Sequence, residues 1–96
     1  MDPIPISFQL HKKQFAGSFT EVSGTGGQHT NWYLMGNDKR YYGRLRLVVQ
    51  DPIYIDNPMQ EKKPEKEAWY FDENDGSKGF AQLVDYFRDV VTAWYQ

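Results

Sequence analysis

Cysteine is absent from the 96 residues. That removes a disulfide scaffold, a thiolate metal site and a cysteine nucleophile at one stroke. Histidine is scarce: His11 and His29 are the only two. They fall on different predicted elements with no carboxylate at helical spacing, so neither metal ligation nor a catalytic triad has local support. Long apolar runs are lacking too, and no stretch approaches the roughly 18 residues of a membrane helix. The start, Met1-Asp2-Pro3-Ile4-Pro5-Ile6, has neither a basic region nor an apolar segment of signal-peptide type. A cytoplasmic protein is the expectation. No cofactor or metal is expected.

An excess of basic charge is also missing. Eleven Lys and Arg stand against thirteen Asp and Glu, for a net charge of −2. The distribution is uneven, however: residues 1–50 carry +3 and residues 51–96 carry −5. A generic nucleic-acid binder is basic overall. Here only a local patch in the first half could serve that purpose.

What the chain has in quantity is aromatic side chains, 17% of the sequence within a hydrophobic fraction of 40%. This is a globular composition, and the length suits one domain. Alternation of apolar and polar residues predicts strands over 4–10, 15–22, 30–35, 40–49, 53–55 and 68–72. Pro3 and Pro5 cannot donate to a ladder, so the first strand is expected either to lie at an edge or to start irregularly. Gly36-Asn37-Asp38-Lys39 reads as a turn, and the densely charged segment 57–67 as a mobile loop. From Phe80, the residues Leu83, Val84, Phe87, Val90, Val91 and Trp94 fall within an arc of about 120°. They predict an amphipathic helix over 78–95, with Ser77 as its cap.

Strands followed by one helix give an α+β domain: a twisted antiparallel meander of five or six strands packed on a C-terminal helix, with the choice between an open sheet and one curled toward a partial barrel not legible in the sequence. The expected core is Ile4, Ile6, Phe8, Tyr41, Leu45, Leu47, Trp69, Phe71, Phe80, Leu83, Val84, Phe87, Val91 and Trp94. Gly17-Ser18-Phe19 followed by Glu21-Val22-Ser23 is similar to the Gly-x-Trp opening strand of lipocalin-like barrels. Phe19 stands where that family has Trp, and the chain is short for its eight strands.

Two motifs fail on their own chemistry. The loop 23–29 has glycines at 24 and 26 but His29 in the third position of G-x-G-x-x-G. A strand, not a helix, follows it. Asp72-Glu73-Asn74-Asp75-Gly76 resembles a calcium loop until the flanking ligand positions are read. Those are Phe71 and Gln82, neither of them a carboxylate.

The candidate binding surface is Arg40, Tyr42, Arg44 and Arg46. Strict alternation in strand 40–49 puts these four side chains on one face, about 6–7 Å apart. Guanidinium groups with an interleaved aromatic can stack on bases and bind phosphates. The plainer reading is a solvated sheet face whose arginines pair with acids from 61–75. Tyr33, Tyr54, Tyr70, Tyr86 and Tyr95 fall at outward positions, which fits either a surface suited to protein contact or the ordinary preference of strands for aromatics. A non-catalytic protein-interaction module follows as the leading expectation, with an immunity or inhibitor-type protein as one version. Single-stranded nucleic-acid binding through 40–46 is the alternative. A small apolar ligand held between sheet and helix is the third. Partner identity and oligomeric state are not legible in the sequence.

Overall fold

The computed structural model describes residues 2–23, 29–50 and 66–96. Five strands form one antiparallel sheet in sequence order: β1 (Ile4–Leu10), β2 (Lys13–Ser23), β3 (His29–Gly36), β4 (Tyr41–Gln50) and β5 (Lys66–Asp72). The sheet curls into a half-barrel, and one helix, α1 (Val84–Trp94), packs against it. The α+β meander expected from the alternation is the fold observed. Residues 66 and 67, read as loop, belong to β5. The predicted strand 53–55 and the rest of the 57–67 loop lie outside the described residues, as does Tyr54.

Local chemistry sets the meander. His11 and Lys12 join β1 to β2 with φ of 51° and 64°. Positive φ at both central residues is the primed turn whose twist matches a right-twisted hairpin. Asp38 organises the β3–β4 turn, accepting from the backbone of Arg40 at 3.0 Å and from the Tyr42 hydroxyl.

The predicted helix 78–95 begins later than its periodicity implies. A 3₁₀ turn at Asp75–Ser77 and a second at Phe80–Leu83 precede α1. Ser77 is not the cap of a continuous helix. Asn74 caps the first turn, and buried Ser77 completes a reciprocal pair with it. The Asn74 carboxamide oxygen accepts from Gly76 N at 2.9 Å and from Ser77 Oγ at 3.0 Å. Gly79, at φ 92°, then redirects the chain, and Glu73 accepts from Gly79 N at 2.9 Å and Ala81 N at 3.2 Å. This carboxylate satisfies donors that the helical segment would otherwise leave orphaned.

The core lies between the concave sheet face and α1. Phe87 is its centre, fully buried, with ring centroids 5.0 Å from Phe71 and 5.4 Å from both Phe8 and Phe19. Phe19, Trp32 and Leu34 are buried and extend the core beyond the set expected from sequence. Two expected members are outside it. Trp94 is 46% exposed, and Val91 is the last buried residue of the apolar stripe of α1. Tyr41 is 47% exposed for a different reason, a bulge in β4.

That bulge lies between two aligned pairs, Tyr33 with Arg44 and Met35 with Tyr41. Across this interval Leu34 of β3 faces two residues of β4, Tyr42 and Gly43. An extra residue reverses the alternation, so Tyr41 points outward and Tyr42 inward. The Tyr42 ring packs against Phe15 and Phe80, at centroid distances of 5.0 and 6.3 Å. Gly43 takes φ 124°, and a Cβ there would lie 2.5 Å from the Asp72 carbonyl oxygen. No helix among the described residues is long and apolar enough to cross a membrane.

Two substitutions test this packing. Phe87→Asp places an unpaired charge among four aromatic rings and should abolish the cooperative thermal transition. A retained sharp melt would contradict the placement of α1. Gly43→Ala forces a strained backbone and a clash with β5, and should cost about 1–3 kcal/mol by urea denaturation.

Candidate binding surface on the outer sheet face

Opposite the helix, the sheet presents a face built row by row by the strand register. One row runs Thr20, Tyr33, Arg44, Asp72 across β2 to β5. The next runs Val22, Asn31, Arg46, Tyr70. A third places Ser18, Met35 and Tyr41 side by side. Toward β1 and β2 most of the face is small or polar, with Ser7, Gln9, Gln14, Ala16, Ser18 and Thr20 beside Pro5 and Val22. Toward β3, β4 and β5 it becomes aromatic and cationic.

Arg44 and Asp72 are direct cross-strand neighbours, with Arg44 Nη2 2.9 Å from Asp72 Oδ2. Arg46, one row away, reaches the same carboxylate: Nη2 donates to Oδ1 at 3.2 Å, and Nε lies 2.9 Å from Oδ2. The Nε contact is an ion pair without hydrogen-bond geometry. That atom is buried and has no hydrogen-bond partner among the described residues. The Arg46 guanidinium also sits over the Tyr70 ring, 5.2 Å from its centroid. Cation–π contact of this kind favours a planar guanidinium over an ammonium. Tyr33 and Tyr41 meet edge to face at 5.6 Å.

Burial pushes the Asp72 carboxyl up, but hydrogen bonds and charge from Arg44 and Arg46 outweigh it and leave the group below its ordinary range. Burial is also the main reason the Tyr41 hydroxyl titrates above its usual value. Both groups therefore keep fixed protonation states at neutral pH. The patch is a pair of arginines held by one carboxylate, with net charge +1, rimmed by Tyr33, Tyr41 and Tyr70, which are 39%, 47% and 45% exposed.

The four residues singled out from the sequence are not brought together. Arg44 and Arg46 share the outer face as expected. Tyr42 is on the inner side, its hydroxyl bound to Asp38. Arg40 precedes β4 in the connecting turn. Tyr41 takes the position expected of Tyr42, and Asp72 supplies the acid that pairs the arginines. Gly43 was the signal for this exchange, since glycine inside a strand marks a bulge. No cluster of three or more His, Asp or Glu that could hold a metal occurs among the described residues.

The arginine clamp has a pH signature. Because the folded Asp72 carboxyl titrates below its unfolded value, its stabilisation is complete above the unfolded pKa and is lost as pH falls through the folded one. Half exposure and solvent screening keep the contribution small. Acid titration followed by tyrosine fluorescence should show a transition below the ordinary Asp range, and Asp72→Asn should remove it. An unchanged acid limb in that variant would show that Asp72 does not carry the clamp.

No family model matches the chain, and no curated protein and no solved structure matches it.

Proposed function

We propose that this protein is a binding module that docks another protein on its outer sheet face, with Tyr33, Tyr41, Tyr70, Arg44 and Arg46 as the contact residues. One observation carries the reading. Three exposed tyrosines converge on a pair of arginines that Asp72 already holds in place. Tyr and Arg are the residues that concentrate binding energy at protein interfaces. A guanidinium ordered before binding loses less freedom when it binds. With net charge +1 and aromatic flanks, the patch suits a partner that presents acidic groups beside apolar surface.

Several features weigh against the alternatives. Asp72 neutralises part of the cationic surface, and Tyr42 is not available to stack on bases. The region between sheet and helix is filled by Phe8, Phe15, Phe19, Phe71, Phe80 and Phe87, which disfavours a small apolar ligand there. An immunity or inhibitor role remains one version of a protein-docking function.

Photo-cross-linking tests the reading. A benzophenone side chain at position 41 or 70 should give adducts with a partner in native extract, whereas the same group at Ala16 or Thr20, on the plain side of that face, should not. Tyr41→Ala and Tyr70→Ala should each weaken the purified complex about tenfold or more, the range expected of interface anchors. Equal adducts from all four positions, or none, would overturn the assignment. Salt-sensitive amide shifts at 44–46 with single-stranded DNA would transfer the face to nucleic acid.

A further inference from the structure

A five-stranded open sheet has two edges, and this one treats them differently. Along β1, Pro5 offers no N–H, and the Tyr86 hydroxyl donates to the Ser7 carbonyl at 3.1 Å. Proline and a covering side chain are the usual means of closing an edge against strand addition. β5, at the other end, contains no proline in its seven residues. Among the described residues, no hydrogen bond from a turn, a side chain or α1 reaches its backbone; its only ladder partner is β4.

We propose that β5 is a homodimerisation edge, pairing antiparallel with β5 of a second copy about a twofold axis at Trp69. The pleat restricts the choice, because a slip by one residue would set the outer face of one copy against the inner face of the other. With Trp69 on the axis, all seven residues pair: Lys66 with Asp72, Glu67 with Phe71, and Ala68 with Tyr70 of the second copy. The exposed Tyr70 ring lies beside the small Ala68, twice over. Moving the axis to Tyr70 sets Glu67 opposite Glu73 of the second copy, a like-charge pair that destabilises a ladder. Moving it to Ala68 shortens the paired segment to residues 66–70. Of these three registers, the one centred on Trp69 pairs all of β5 without setting like charges opposite each other, and it places Glu67 beside Phe71 of the second copy on the inner face.

The dimer would join two sheets into one and place the Arg46–Tyr70 contacts of both copies side by side. It does not depend on a heterologous partner for the outer face.

Sedimentation equilibrium over a wide concentration range tests the proposal, alongside amide exchange. The wild-type mass should rise from one 11.3 kDa chain to twice that value. Amides of residues 66–72 should gain protection as the concentration rises, whereas those of residues 4–10 should not. Ala68→Lys, which fills the space Tyr70 needs and adds a charge, should remain monomeric with an unchanged melting curve. Ala16→Lys on β2 should dimerise like the wild type. A wild-type protein of one-chain mass at every concentration would refute the proposal. So would a dimer whose protection appears on β1, or a folded Ala68→Lys variant that still associates. If Ala68→Lys fails to fold, the concentration-dependent exchange of the wild type decides alone. A monomer that still cross-links a partner through Tyr41 would remove the dimer and leave the outer-face reading intact.

Discussion

The extra residue in β4 is the constraint on which the rest of the structure depends. Tyr42 and Gly43 together face Leu34, and that single insertion decides what each side of the sheet presents. Without it, Tyr42 would stand among the arginines and Tyr41 would enter the core. With it, the Tyr42 ring fills the space beside Phe15 and Phe80, and its hydroxyl reaches Asp38. Tyr41 is released to meet Tyr33 on the outer face. The bulge requires the backbone that glycine adopts freely, and the close approach of the Asp72 carbonyl leaves no room for a Cβ. Core and candidate surface thus share one origin.

The segment after β5 fastens both. Asp72, Glu73 and Asn74 are consecutive, yet each serves a different part of the fold. Asp72 holds Arg44 and Arg46 on the outer face. Glu73 accepts from Gly79 N and Ala81 N at the entry to the helical segment. Asn74 caps the 3₁₀ turn and donates to the Tyr41 carbonyl at 2.9 Å, beside the bulge. An acidic run that resembled a calcium loop is in this way committed to internal partners. Its spacing is set by three separate structural demands.

Much of the architecture was legible because period-two alternation survives wherever a strand is regular. Ile4, Ile6 and Phe8 on β1, and Phe71 on β5, pointed to the side expected. The α1 stripe was legible for the same reason at period 3.6, as far as Val91. Errors arose where the period changes. The 3₁₀ turn at Phe80–Leu83 winds more tightly than an α-helix, so extrapolation back from α1 could not place the helix start. The bulge inverted the reading at Tyr41 and Tyr42, and half of the four-residue candidate surface went with it. Arg44 and Arg46 survived because they lie past the insertion and in phase with β5. Asp72 was placed in the general pool of pairing acids. Only the register, which sequence does not give, sets it opposite Arg44.

The uneven charge of the chain follows from the same register. Residues 1–50 are net positive and residues 51–96 net negative, which read linearly leaves only a local basic patch in the first half. In the folded protein the two halves meet, with arginines from β4 beside a carboxylate from β5. Part of the dipole in sequence is spent as complementarity within the sheet. What is left among Arg44, Arg46 and Asp72 is one net positive charge, held by ion pairs and surrounded by tyrosines. Such a surface has little long-range pull and much short-range contact area. Those properties support the proposed protein partner over a phosphate backbone.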